Sequence, residues 1–159
     1  MKVLLALDGS GCSNAAVKEV VTRPWPADTE VRVISAFQVP LTPTPEAWAI
    51  PDDYYQEMER TARGQAQSVV DAATSRLEKE SGNPLLITSD VLPGPPRTAI
   101  LAEADRWRPD LIVVGSHGYG AWQRFLLGSV SQAVVSHAKC SVEVVRCPSA
   151  MATTEIKAA

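Results

Sequence analysis

Gly115, Gly118, Gly128 and Ser129 have the residue types and spacing of a ligand-binding loop. They follow the pattern Gly115-x2-Gly118-x9-Gly128-Ser129. Glycine allows positive φ and lets the backbone approach a ligand without a Cβ in the way. Residues 130–136 repeat apolar side chains at helical spacing, so the stretch ends at a helix N-terminus, where an anion is favoured. The pattern predicts a phosphate-binding loop. Alternatively, the glycines only form a turn and Ser129 only caps the helix.

Asp8 is the second candidate for ligand contact. It ends the apolar run that starts at Val3, which is typical of a buried strand. In the functional interpretation its carboxylate accepts hydrogen bonds from a ribose, from a base edge or from water bound to Mg²⁺. In the alternative interpretation it caps the first helix through an Asx turn. Because Asp8 and the glycine stretch each follow a predicted parallel strand, we expect them to meet at one edge of a sheet.

Strand and helix patterns alternate along the whole chain. Strands are predicted at residues 2–8, 30–37, 86–91, 111–114 and 141–146, and helices at residues 13–22, 54–79, between 97 and 109, and from 129. This alternation predicts an α/β fold with a parallel sheet covered on both faces. Residues 40–51 hold four prolines and are predicted to be a loop. This loop is either a candidate lid over the site or, in the alternative interpretation, an exposed linker.

The sequence lacks the residues that fast phosphoryl transfer needs. No Gly-x4-Gly-Lys-Ser/Thr pattern occurs, and no lysine lies within residues 115–129. Such enzymes combine a cation clamp with a placed base or a water-orienting group, and Asp8 alone does not make that set. The residues favour a binding module. An enzyme, either a slow ATPase or a nucleotide-dependent transferase, is the alternative, and a scaffold that binds nothing is a third possibility.

The same stretches resemble the universal stress protein family. The resemblance rests on residues 3–10 (VLLALDGS), 110–118 (DLIVVGSHG) and 127–131 (LGSVS), and it runs from residue 2 to 147 with an interruption at 40–53. It implies a single doubly wound, Rossmann-like, five-stranded parallel sheet in strand order 3-2-1-4-5, with the ligand between strands 1 and 4. Residues 1–147 would form this domain, and residues 148–159 a flexible tail.

The resemblance also implies an ATP site, with Mg²⁺ bound through the phosphate oxygens and Asp8 as a possible metal contact through water. His117 is a candidate phosphate contact or an uninvolved surface histidine, and Arg124 neutralises phosphate or is merely solvated. Phe37 is a weaker candidate, because an aromatic residue at a strand end is usually core. The full candidate set is Ala6, Leu7, Asp8, Phe37, Gly115, His117, Gly118, Arg124, Gly128, Ser129, Val130 and Ser131.

The family resemblance further implies a nucleotide-dependent stress-response or regulatory module with an unknown protein partner. It implies a homodimer as well, formed where two copies of the edge strand 141–146 meet antiparallel. Such a contact is self-complementary, as a two-fold interface requires.

Composition and charge limit the binding partners and the cellular compartment that we expect for this protein. The 15 basic and 18 acidic residues give a net charge of −3, which offers no electrostatic reason to bind nucleic acid or acidic membranes. The apolar run before Asp8 is too short for a signal peptide, so we expect a cytoplasmic protein. Cys12, Cys140 and Cys147 are odd in number and lack CxxC spacing, so neither a disulfide framework nor a zinc site is expected.

Overall fold

The computed structural model describes residues 1–39, 52–118 and 127–147. Arg124, the proposed lid at 40–51 and the proposed tail at 148–159 lie outside these ranges. The elements run in the order β1 (Lys2–Leu7), α1 (Gly11–Thr22), β2 (Glu30–Phe37), α2 (Asp52–Glu80), β3 (Leu86–Pro93), α3 (Pro96–Trp107), β4 (Leu111–Gly115), α4 (Ser129–His137) and β5 (Ser141–Val145).

The five strands form one sheet in the order β3-β2-β1-β4-β5, and every neighbouring pair is parallel. The central strand β1 places Val3 beside Val31 on one side and Leu111 on the other. The predicted fold class and strand order are therefore confirmed. The order reverses between β1 and β4, and ligands generally bind at such a point, outside the carboxyl ends of the strands.

Alternate side chains of the central strands build two separate cores. On one face Val3, Leu5 and Leu7 pack with α1 and α2, and on the other Leu4 and Ala6 pack with α3 and α4. Both sets are buried, as expected for a parallel sheet covered on both faces. The sheet is therefore a rigid base from which the strand ends present their loops.

Several element ends differ from the predicted ones. Helix α1 begins two residues earlier than predicted, because the Ser10 side chain caps it by accepting a hydrogen bond from the Ser13 amide at 3.2 Å. Strand β3 continues to Pro93, which pairs with Phe37, and β5 ends at Val145.

The expectation that the cysteines form no disulfide is wrong. Cys12, in the first turn of α1, is bonded to Cys147, which follows β5. The two residues are 135 positions apart, and β5 lies beside β4 at the end of the sheet that α1 covers. Only this tertiary arrangement brings them together, whereas Cys140 remains a free thiol.

Candidate functional site

The carboxyl ends of β1 and β4 open into a cavity of about 400 Å³. The N-terminal ends of α1, α3 and α4 surround it. Phe37 does not line this cavity, because it packs on the opposite face of the sheet with α1 and α2. The predicted site residues that do line it are Ala6, Leu7, Asp8, Gly115, His117, Gly118, Gly128, Ser129, Val130 and Ser131.

The Asp8 carboxylate has two separate contacts. Its Oδ1 accepts a hydrogen bond from the Ser10 amide at 2.9 Å, which is the Asx turn weighed from the sequence. Its Oδ2 points towards the glycine stretch, because a Cβ built on Gly118 would lie 2.6 Å from it. Asp8 therefore closes the turn before α1 and also presents an oxygen to the cavity.

The turn after β1 is tied back to α1 by a serine that sequence reasoning missed. The amides of Asp8 and Gly9 both donate to Ser13 Oγ at 3.2 Å, and Ser13 lines the cavity. On the opposite side, Ser10 Oγ donates to the His117 carbonyl at 3.2 Å. The hydrogen bond from Ser10 to His117 connects the strand-1 and strand-4 sides of the cavity directly.

The glycines at 115 and 118 do not adopt the positive φ that the sequence analysis considered for them. A Cβ on Gly115 would lie 2.8 Å from the carbonyl carbon of Cys12 and 2.9 Å from the Ser13 amide nitrogen, both of them backbone atoms. Glycine at 115 thus allows α1 to pack against the end of β4.

The alternative interpretation, in which Ser129 caps helix α4, is wrong. Gly128 is the N-cap residue and Ser129 is the first residue of the helix. The Gly128 amide donates to the Ser116 carbonyl at 2.8 Å, and Ser131 Oγ donates to the carbonyls of Ser116 and Gly128, each at 2.9 Å. The Ser131 hydroxyl thus holds the helix against the strand-4 loop. The first amides of the helix border the cavity, where helix geometry gives them no intrahelical acceptor.

The other half of the cavity is apolar, and most of it was not predicted. Its walls come from β2, α3 and β4 through Ile34, Ala36, Pro96, Ile100 and Val114. The two β2 residues could have been found from the two-residue alternation of a strand. This alternation places Ile34 and Ala36 on the face opposite Val33 and Phe37. The α3 residues have no local signal, because only the crossover connection brings that helix to this edge.

A buried carboxylate fixes α3 against β2 behind this apolar wall. Glu103 is 5% exposed, and it accepts hydrogen bonds from Arg106 Nε at 2.9 Å and Nη2 at 2.6 Å. Arg32 Nε lies 2.6 Å from the same carboxylate, although its N–H is not aligned for a hydrogen bond, so this contact is ionic. Hydrogen bonding to Glu103 raises the pKa of Arg106. Since Glu103 lies one turn beyond Ile100, the network holds the wall in place.

The titratable groups that line the cavity are few. Among the residues the structure describes, Asp8 and His117 line it, and no lysine or arginine does. His117 Nδ1 lies 3.1 Å from Ser116 Oγ. Within the same ranges, no cluster of three His, Cys, Asp or Glu side chains could hold a metal ion, and no helix is long and apolar enough to cross a membrane. The arrangement can hold a ligand with an apolar end and an anionic end.

Fold and cavity together define a doubly wound α/β domain with a ligand-sized opening at the switch point of its sheet. The model of the universal stress protein family matches residues 1–146, and the chain belongs to this family. It is 29% identical over 150 residues to universal stress protein MJ0531 of Methanocaldococcus jannaschii, covering 92% of this chain and 82% of that protein. It is 32% identical over 152 residues to Rv1996 of Mycobacterium tuberculosis, covering 90% of this chain but only 47% of that protein, about half its length.

Solved structures share the fold at lower identity. The protein MJ0577 superposes with a TM-score of 0.78 at 22% identity, covering 93% of this chain and 96% of that one. A universal stress protein family member of Arabidopsis thaliana, solved with AMP bound, gives a TM-score of 0.67 at 20% identity, covering 94% of this chain and 93% of that one. These likenesses support the fold.

Proposed function

We propose that this chain binds ATP in the cavity at the carboxyl edge of the sheet and acts as a nucleotide-dependent stress-response or regulatory module. One observation carries the proposal. A single cavity of about 400 Å³ joins an apolar half, formed by β2, α3 and β4, to a half made of strand-end glycines and the N-terminus of α4. The apolar half suits an adenine ring, and the helix N-terminus suits phosphate.

The AMP-bound relative supports a nucleotide as the ligand class. We extend this to a triphosphate along residues 115–131, because Gly115, Gly118 and the N-terminus of α4 line the same cavity. Mg²⁺ would bind mainly through phosphate oxygens, with Asp8 contributing through water. Such a donor set fits this ion, which usually keeps several waters and takes one or two carboxylates alongside substrate phosphates.

Binding to ATP and to other nucleotides can be measured directly. We expect adenine nucleotide to remain bound to the protein through purification. Acid extraction followed by mass spectrometry would identify it. Titration calorimetry should then show ATP binding to protein freed of that ligand. If no adenine nucleotide binds the folded protein at millimolar concentration, the proposal is wrong.

A separate experiment tests whether this chain is a nucleotide-binding module rather than a fast enzyme. Asp8 is the only carboxylate among the described residues lining the cavity, and its Oδ1 already accepts the Ser10 amide. We expect single-turnover phosphate release to be slow and to change little in Asp8→Ala. Turnover within the range of kinases, about 1–100 s⁻¹, that vanished in this variant would support the enzyme alternative instead.

We also propose a cytoplasmic homodimer with no nucleic acid partner. The edge position of β5 supports the dimer, because a second copy could pair with the side of β5 on which the described part of the chain places no strand. Glu143 on this strand already contacts Arg23 of the same chain at 2.6 Å, a hydrogen bond that raises the pKa of Arg23. We therefore expect backbone pairing, rather than Glu143, to set the register. Light scattering should show a dimer for the wild-type protein and a monomer for folded Val144→Pro, and a wild-type monomer at micromolar concentration would exclude it.

A further inference from the structure

The Cys12–Cys147 disulfide joins the edge of the sheet to the wall of the cavity. Cys12 is 4% exposed and belongs to the first turn of α1. Cys147 is exposed and lies two residues beyond the end of β5. The bond is therefore accessible to a reductant from the Cys147 side, while its other sulfur is buried in the helix that borders the site.

On the helix side, the disulfide reaches the cavity through direct backbone packing. The Cys12 carbonyl carbon and the Ser13 amide are the atoms that would lie within 3 Å of a Cβ on Gly115. Ser13 lines the cavity and holds the turn after β1 through the amides of Asp8 and Gly9. A shift of the first turn of α1 would move both the strand-1 and the strand-4 sides of the site.

On the strand side, the disulfide reaches the same loop through Ser116. The Ser116 amide donates to the Val145 carbonyl at 2.8 Å, close to Cys147 in the chain. The Ser116 carbonyl accepts from the Gly128 amide and from Ser131 Oγ, which hold the N-terminus of α4. Ser116 Oγ itself lies 3.6 Å from Cys12 Sγ. Both ends of the disulfide are thus connected to the strand-4 loop by direct contacts.

We propose that Cys12–Cys147 is a redox modification site that holds the cavity in its binding shape, and that a dithiol reductant lowers nucleotide affinity by opening it. This inference rests on the proposed function for its affinity readout. It agrees with the proposed cytoplasmic location, because disulfides in reducing compartments are usually transient and catalytic or redox-sensing.

A dithiol reductant opens the bond by thiol–disulfide exchange in two steps. One thiolate of the dithiol attacks the exposed Cys147 sulfur, the Cys12–Cys147 bond breaks, and Cys12 leaves as a thiolate. The second thiol of the reductant, as its thiolate, then attacks the reductant sulfur of the mixed disulfide. This attack expels the Cys147 thiolate. The dithiol is oxidised to a disulfide, the protein gains two electrons, and the two protons of the dithiol end on Cys12 and Cys147.

The test compares four forms of the full chain: air-oxidised wild type, wild type reduced with dithiothreitol, a Cys12→Ser/Cys147→Ser double variant, and a Cys140→Ser control. Alkylation and mass spectrometry should label one thiol, Cys140, in the oxidised form and all three cysteines after reduction. We expect ATP affinity by calorimetry to fall at least about fivefold on reduction, the low end for coupled sites. The double variant should match the reduced protein, and Cys140→Ser should respond to dithiothreitol as the wild type does.

Hydrogen exchange at residues 115–118 and 128–131 separates this inference from the proposed function. Faster exchange of these amides after reduction, with no nucleotide bound by either form, would keep the redox coupling and reject the ATP proposal. Equal ATP affinity and equal exchange in the two forms would overturn the redox inference. The labelling of three thiols in protein treated with oxidised glutathione would also overturn the redox inference. Unchanged hydrogen exchange after reduction, with no nucleotide bound by either form, would reject both the redox inference and the ATP proposal.

Discussion

Two cavities of similar size lie at opposite edges of the sheet, and both border α3 and α4. The cavity at the carboxyl edge measures about 400 Å³ and the one at the amino edge about 450 Å³. The amino-edge cavity is lined by Leu101, Ala104, Asp105, Arg108, Pro109, His137, Ala138, Lys139 and Cys140. Volume therefore does not distinguish them. What differs is the direction of the helices, which begin at the carboxyl edge and end at the amino edge.

Helix direction and side-chain charge point to opposite cavities. At the amino edge the basic side chains Arg108, His137 and Lys139 lie beside the ends of α3 and α4, where cations offset the partial negative charge of helix C-termini. His137 Nδ1 lies 2.9 Å from the Ala133 carbonyl, and Lys139 contacts Asp105 at 2.9 Å. The side chains of His137 and Lys139 are thus already engaged within the chain. Under the proposed function, the phosphate side is therefore marked by backbone amides at helix starts rather than by cationic side chains.

The largest expected effect comes from blocking the carboxyl-edge cavity. In Gly118→Val the added side chain must displace the Asp8 carboxylate, since even a Cβ would lie 2.6 Å from its Oδ2. We expect ATP affinity by calorimetry to fall by about tenfold or more. Gly82→Val is the matched control, because nothing lies within 4 Å of a Cβ at Gly82, and equal affinity in the two variants would refute the site.

The next effect concerns stability and compares two glycines. A Cβ on Gly115 meets backbone atoms at 2.8 and 2.9 Å, whereas one on Gly64, inside α2, meets nothing within 4 Å. We expect Gly115→Ala to lower the free energy of unfolding by about 1–3 kcal/mol. Gly64→Ala should raise it by about 0.5–1 kcal/mol, because alanine favours the helix. Urea unfolding measures both, and two changes of the same sign would contradict the close packing at Gly115.

These glycines also show how far the sequence could be interpreted. Strand periodicity and the glycine spacing predicted the sheet and the residues at the ends of β1 and β4, because those signals are local. The reason why position 115 requires glycine could not be found in the neighbouring sequence. It depends on α1 packing against β4, across about 100 positions of sequence, and the loop pattern alone suggested positive φ instead.

The same distinction explains the other differences. Phe37 could have been excluded by the alternation along β2, since it shares a face with Val33 rather than with Ile34. Ile100 and the disulfide could not have been found in this way. Ile100 reaches the cavity only through the crossover of α3, and Cys12 meets Cys147 only because β5 joins the sheet beside β4.

A smaller effect is expected at the amino edge, on the reactivity of its free thiol. Burial is the main cause that raises the pKa of Cys140. Because only the thiolate is alkylated, a raised pKa means less thiolate at a given pH and slower labelling. In the oxidised protein, iodoacetamide labelling should reach its half-maximal rate at a pH above the ordinary cysteine value of about 8.5. The Cys140→Ser variant gives the background rate, and a midpoint below 8.5 would contradict the burial.

The smallest effect is expected for the exposed cation of the amino-edge cavity. The side chain of Lys139 is 79% exposed, and its contact with Asp105 is of the surface kind that contributes about 0–1 kcal/mol. We therefore expect Lys139→Ala to bind ATP as tightly as the wild type, within about twofold, and to unfold within about 1 kcal/mol of it. Calorimetry and urea unfolding on the same preparation measure both quantities. A clear loss of ATP affinity in Lys139→Ala, with Gly118→Val unaffected, would place the phosphate at the amino edge. Side-chain charge would then outweigh helix direction in this protein, and the assignment of the two cavities would be reversed.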